Sequence, residues 1–126
     1  MKVTERQVSG VTILDFSGRI TLGDESALLR NTIRDVVSGG ARNLLLNLSQ
    51  VPFIDSSGIA ELVNAIVAVR REGGDVKLLN LTRKVRDTVE ILKLATIFEL
   101  FDDEAAAVKA FTRDQKQEPD PLARAG

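Results

Sequence analysis

Residues 43–71 read NLLLNLSQVPFIDSSGIAELVNAIVAVRR. Leu44, Leu45, Leu46 and Leu48 form a near-continuous apolar run, the pattern of a strand covered on both faces in a parallel sheet flanked by helices. Asp55-Ser56-Ser57-Gly58 then supplies helix-start chemistry. Asp and Ser oxygens accept the backbone N–H groups that lack intrahelical partners in a first turn, and Gly58 permits a close backbone approach or an unusual dihedral. Ile59, Leu62, Val63, Ile66 and Val67 or Arg70 follow at helical spacing, until Glu72-Gly73-Gly74-Asp75 ends the helix.

The chain extends this strand–helix unit in both directions. Upstream, Val3 to Val8 and Val11 to Phe16 flank Ser9-Gly10, a two-residue connection suited to a tight hairpin. Val11 and Ile13 occupy one face of the second strand, Leu14 and Phe16 the other. The first strand carries Thr4-Glu5-Arg6-Gln7 at its middle and reads as a polar edge. Thr21 and Asp24 have the spacing of a capping box, Leu28 or Leu29, Ile33 and Val36 or Val37 give a helical stripe, and Gly39-Gly40 stops it.

Downstream, Val76 to Leu81 reads as a strand. Thr82 is a natural N-cap for a short helix carrying Val85, Val89 and Leu92. A last strand is expected near residues 97–100. Asp102-Asp103-Glu104 complements the dipole at the start of a final helix that buries Ala105, Val108 and Phe111. Residues 113–126, with two prolines, read as a disordered tail. The expected architecture is a single α/β domain over residues 1–112: a mixed β-sheet of four to five strands with about four helices packed against it. Its strand–helix–strand crossovers should be right-handed and parallel, and the opening hairpin supplies an antiparallel edge.

Composition narrows the chemistry. The 126 residues carry 17 basic and 18 acidic side chains, a net charge of −1, with no basic block to support nucleic-acid binding. The chain has no Cys and no His, which removes zinc-finger, iron–sulfur, thiol, Ser-His-Asp and phosphohistidine chemistry. Neither a signal peptide nor an apolar run of membrane-spanning length is apparent, so a cytoplasmic protein without a membrane partner is expected. The positions two before Ser56 and Ser57 are Ile54 and Asp55, which breaks the Gly-x-Ser-x-Gly pattern of a nucleophile elbow. Glycine spacings for a dinucleotide site or a P-loop are also missing. No catalytic residues, metal ligands or cofactor are expected.

Read by itself, Asp55-Ser56-Ser57-Gly58 allows two roles. It can be a plain helix cap, or Ser56 can accept a phosphate at an exposed helix N-terminus, where the dipole favours anions. A phosphate there would add close to two negative charges to a surface, at high cost if a partner has to bury it.

Several stretches together resemble the STAS domain of the anti-sigma-factor antagonist family. They are Phe16-Ser17-Gly18-Arg19-Ile20, the strand from Asn43 to Ser49, Phe53-Ile54-Asp55-Ser56-Ser57-Gly58-Ile59, Gly73-Gly74 before Val76-Lys77-Leu78, and Val85 to Phe101. The resemblance spans about residues 3–112. It implies a non-catalytic protein whose unphosphorylated form binds an anti-sigma factor that is also a serine kinase, releasing the sigma factor. The kinase then phosphorylates the first Ser of the motif, which abolishes binding, and a serine phosphatase resets the switch.

By position, the resemblance makes Ser56 the acceptor, framed by Asp55, Ser57 and Gly58. It places the partner surface on the loop from Gly18 to Gly23, with Gly18, Arg19, Ile20 and Thr21 foremost, and on the start of the second helix at Ile59. Arg19 and Thr21 stand where the family often has acidic residues, and Ala60 where it often has Gly. The alternative role implied by the same fold is a scaffold or adaptor subunit of a larger sensory or lipid-transport complex. A small-molecule module is a weaker third.

Overall fold

The computed structural model describes residues 1–117. Its elements are β1 (Lys2–Val8), β2 (Val11–Ser17), α1 (Asp24–Ser38), β3 (Asn43–Gln50), α2 (Ser56–Arg71), β4 (Asp75–Leu79), α3 (Arg83–Ile91), β5 (Glu99–Phe101) and α4 (Glu104–Gln117). The five strands lie side by side in chain order. β1 runs antiparallel to β2, and β2, β3, β4 and β5 are parallel to one another. Ser9 and Gly10 both take positive φ, 50° and 80°, the combination that closes a two-residue hairpin in line with strand twist.

The alternating leucines of β3 explain why helices flank both faces. Leu44, Leu46 and Leu48 join Leu14, Phe16, Val76 and Leu78 on the face covered by α1, α2 and α3. Leu45 joins Val11, Ile13 and Leu79 on the opposite face, where Ala107, Val108 and Phe111 of α4 cover it. Because side chains alternate across a strand, a continuous apolar run is what a doubly covered strand needs.

α4 is also fastened by charge. Arg6 Nε donates to Asp15 Oδ2 at 2.6 Å and Arg6 Nη2 donates to Glu104 Oε1 at 2.7 Å, so one guanidinium links both hairpin strands to the first turn of α4. Asn47 Nδ2 donates to the same Asp15 at 2.8 Å. The Arg6 guanidinium, ahead of Asn47, holds the Asp15 carboxyl below its ordinary range against the upward pull of burial. Lys77 of β4 is fully buried, with Nζ 3.0 Å from Glu99 Oε1, 3.3 Å from Asp75 Oδ2 and 4.9 Å from the centre of the Phe111 ring.

Local expectations shift in several places. α1 starts at Asp24, with Gly23 as its cap residue at φ 106° and no side-chain capping bond. Gly23 turns the chain just before the helix, so Thr21 lies outside it and donates its hydroxyl to Glu25 instead of forming a capping box with Asp24. Thr82 precedes α3, but its hydroxyl donates to Val51 O at 2.9 Å rather than to the helix. α2 buries Ala65 and Val69 where Val67 or Arg70 was expected, and both of those are exposed. Leu92 falls past the end of α3 and is exposed. The last strand sits two residues later than expected, and Phe98, just before it, fills the core. In α4 the buried alanines are Ala107 and Ala110, while Ala105 is exposed. The stretch read as a tail is helical as far as Gln117, and residues 118–126 lie outside the described residues.

Candidate functional site

The parallel strands β2, β3 and β4 all end on one side of the sheet, and each leads through a loop into the next helix. Ligands of open parallel sheets bind at such strand ends. Two of the loops are joined backbone to backbone. Gly18 N–H donates to Gln50 O at 2.9 Å, Ile20 N–H to Phe53 O at 3.0 Å and Asp55 N–H to Ile20 O at 3.1 Å. Ile20 and Ile54 thereby form an isolated parallel bridge beyond the main sheet.

Asp55 completes the junction with its side chain. Oδ1 accepts Gly58 N–H at 3.0 Å, which caps α2, and Oδ2 accepts Leu22 N–H at 2.9 Å from the neighbouring loop. Partial burial pulls the Asp55 carboxyl upward, but the backbone N–H groups of Gly58, Leu22 and Ser57 outweigh it and hold the group below its ordinary value of 3.8. A carboxyl depressed in the folded state binds its proton more readily when unfolded. Its stabilisation is therefore complete above about pH 4 and disappears as pH falls through the folded value. Asp55→Asn is expected to lower stability by about 1 kcal/mol at pH 7, the scale of a cap or a charged hydrogen bond. The two proteins should converge as pH falls through the folded value, which urea unfolding at pH 7 and across the acid range measures; a constant difference would assign the effect to packing.

The remaining motif residues separate by depth. Ser56 is exposed as the first residue of α2, Ser57 is half-buried, and Gly58 is buried. A Cβ on Gly58 would lie 2.5 Å from Ile54 Cγ1 and 2.9 Å from Ile20 Cγ2. The glycine is there for space, because the bridged loops pack against the helix at that point. Ile20 and Ile59, expected at the partner surface, are core residues beneath it. Arg19 is exposed, while Gly18 and Thr21 are half-buried. Gly18 takes φ 107°, a conformation L side chains rarely adopt.

Leu22 lies in the Gly18–Gly23 loop that the resemblance gives to the partner surface, without having been named individually. It is 77% exposed on the loop that Asp55 holds, and only the folded loop shows an apolar side chain turned outward. On the α3 side, Lys84 Nζ lies 5.6 Å from the centre of the Phe53 ring, two residues before Asp55. A polar cleft of about 580 Å³, lined by Glu5, Gln7, Thr12, Gly40 and Arg42, lies at the opposite end of the sheet, where β2 and β3 begin. The surface around Ser56 is thus distinct from that cleft. Among the described residues, no helix is long and apolar enough to cross a membrane.

Comparison with known proteins matches this architecture. The family model for the STAS domain matches residues 2–107. BtrV of Bordetella bronchiseptica, named for an anti-sigma factor antagonist role, is 26% identical over 111 residues, covering 88% of this chain and 95% of BtrV. Among solved structures, the Thermotoga maritima protein tm1081, likewise named for an anti-sigma factor antagonist role, superimposes with a TM-score of 0.81 at 22% identity. That match covers 87% of this chain and 94% of tm1081. SpoIIAA of Bacillus in its phosphorylated form gives 0.67 at 18% identity, covering 86% and 98%. At these identities the solved structures establish the shared fold.

Proposed function

The chain belongs to the STAS domain family, and on that premise we propose that it is an anti-sigma factor antagonist switched by phosphorylation of Ser56. In its unphosphorylated form it binds an anti-sigma factor that is also a serine kinase, and the sigma factor is released. Transfer of phosphate to Ser56 ends the interaction, and a serine phosphatase restores it. The protein acts in the cytoplasm as a binding partner, without catalysis of its own.

The observation that carries this reading is the division of labour at the start of α2. Asp55 already caps the helix and Gly58 packs it, so neither task depends on the Ser56 hydroxyl, which stands exposed at the first helical position. A phosphate on that oxygen would meet the positive end of the helix dipole without disturbing the core. The fold then survives modification while the surface charge changes by nearly two units. BtrV and tm1081 support the antagonist role by their names, and SpoIIAA by being known in a phosphorylated form.

Ser56→Asp is expected to weaken binding to the cognate kinase at least 100-fold, measured by calorimetry, while the midpoint of thermal unfolding stays within about 2 °C of wild type. Ser56→Ala should bind as tightly as wild type and take up no phosphate from the kinase and ATP. Equal affinity of wild type and Ser56→Asp would reject the switch.

A further inference from the structure

We propose that Asp55 is a positioning residue for phosphoryl transfer to Ser56: its bond to Leu22 N–H fixes the outer half of the Gly18–Gly23 loop beside the acceptor, so that the kinase meets loop and serine as one surface. The inference rests on the switching role proposed above and adds a residue to it.

The loop is anchored unevenly. Its inner half is tied to the segment between β3 and α2, with Gly18 N–H on Gln50 O, Ile20 N–H on Phe53 O and Asp55 N–H on Ile20 O. Its outer half, Thr21 to Gly23, bonds mostly to the first turn of α1. Thr21 O accepts Ser26 N–H, Gly23 O accepts Ala27 N–H and the Ser26 hydroxyl, and the Thr21 hydroxyl donates to Glu25. Among the described residues, the one hydrogen bond joining this outer half to the segment that bears Ser56 runs from Leu22 N–H to Asp55 Oδ2. Packing does little to hold the tip in its place. Leu22 is 77% exposed, and a Cβ added at Gly23 would meet nothing within 4 Å. Gly18 and Gly23, at φ 107° and 106°, stand at the two ends of the loop.

The bond gives a reason for Asp at position 55 beyond capping. Ser and Asn cap a helix about as well as Asp does, but each has a single side-chain oxygen. A carboxylate has two, and here they accept N–H groups from separate elements, Gly58 in α2 and Leu22 in the loop. The negative charge strengthens both bonds. Capping alone does not need the second oxygen.

Asp55 directly precedes Ser56, so the loop tip lies against the residue next to the phosphate acceptor. A protein–protein interface covers roughly 800 Å² on each partner, a patch about 15 Å in radius. A kinase that reaches the Ser56 hydroxyl therefore covers the tip as well. Holding the tip in one place beforehand removes an ordering cost at binding.

The test uses the full chain, its serine kinase and ATP. Asp55→Ser keeps a capping oxygen for Gly58 and loses the arm to Leu22. It is expected to raise KM for phosphorylation of Ser56 at least tenfold with kcat within twofold of wild type, the pattern of binding lost equally from ground and transition states. Asp55→Asn, whose amide nitrogen faces Leu22 N–H when its oxygen caps α2, should behave alike and serves if the Ser variant folds poorly. Hydrogen exchange at the Leu22 amide should be at least tenfold faster in either variant, with the Gly58 amide little changed. Thr12→Val is the control for lost stability. It removes the bonding of Thr12 to Gln7 at the opposite end of the sheet and should lower the unfolding midpoint without moving KM. An unchanged KM, a loss confined to kcat, an equal rise in KM for Thr12→Val or an unchanged Leu22 amide would each overturn the assignment and leave the switch intact. A wild-type chain that the kinase does not phosphorylate, or a Ser56→Ala chain that still takes up phosphate, would instead remove the switch and this inference with it.

Discussion

Gly74→Ala is expected to cost about 3 kcal/mol, the largest loss for the addition of a single methyl group in this fold. A Cβ at Gly74 would lie 2.0 Å from the carbonyl oxygen of Arg42 and 2.8 Å from its carbonyl carbon. These are backbone atoms, so no side-chain rotation relieves the contact. The same Arg42 carbonyl accepts Asp75 N–H at 2.8 Å, the bond that sets the start of β4 beside β3. Separating the two strands would therefore break that bond as well. Overpacking of 1–3 kcal/mol and about 1 kcal/mol for a lost hydrogen bond add to the stated figure, a large share of the roughly 5–15 kcal/mol that holds a domain together. Thermal unfolding should fall by about 10 °C. The neighbouring Gly73 is the control. Its φ is 84° and nothing lies within 4 Å of an added Cβ, so Gly73→Asn, which tolerates that conformation better than most residues, should lose less than about 1 kcal/mol. Equal losses at the two glycines would refute the steric explanation.

Lys77→Ala is the second large effect, at about 3 kcal/mol. The buried Lys77 side chain lies between the sheet and α4, its ammonium held by Asp75 and Glu99 and set over the Phe111 ring. Truncation leaves a void under α4, and truncations of long core side chains cost about 2–5 kcal/mol. Lys77→Met preserves most of the volume and removes the charge. Removing one partner of an ion pair is costly when the charge left behind is buried, but Asp75 and Glu99 are both partly exposed and can hydrate. The Met variant should therefore lie within about 1 kcal/mol of wild type in urea unfolding. If it loses as much as the Ala variant, the charge rather than the packing holds α4.

These predictions also show which parts of the structure local sequence carries. Element order, the hairpin and the doubly covered β3 were legible because periodicity and turn chemistry act over a few residues. The motif at residues 55–58 was legible as a helix start for the same reason. Contacts between distant segments were not. Thr82 looks like a capping residue, but its hydroxyl is drawn to Val51, 31 positions away in sequence. Gly73 and Gly74 look alike as terminators, yet one serves a dihedral and the other an interatomic gap. Asp55 was readable as a cap, but its second oxygen reaches a loop 33 residues upstream. The resemblance gave Ile20 and Ile59 to the partner surface, whereas both side chains are buried, Ile59 in the apolar stripe of its helix and Ile20 where its bridge to Ile54 turns the loop inward. Leu22 is the converse: an ordinary apolar letter that the fold leaves outside.

The two border strands have a further consequence. β1 presents Lys2, Glu5 and Arg6 along its length, and β5 has only three residues. A charged border and a very short one are both poor templates for a foreign strand. The exposed amides of the sheet therefore do not invite fibrous self-assembly or capture by unfolded chains.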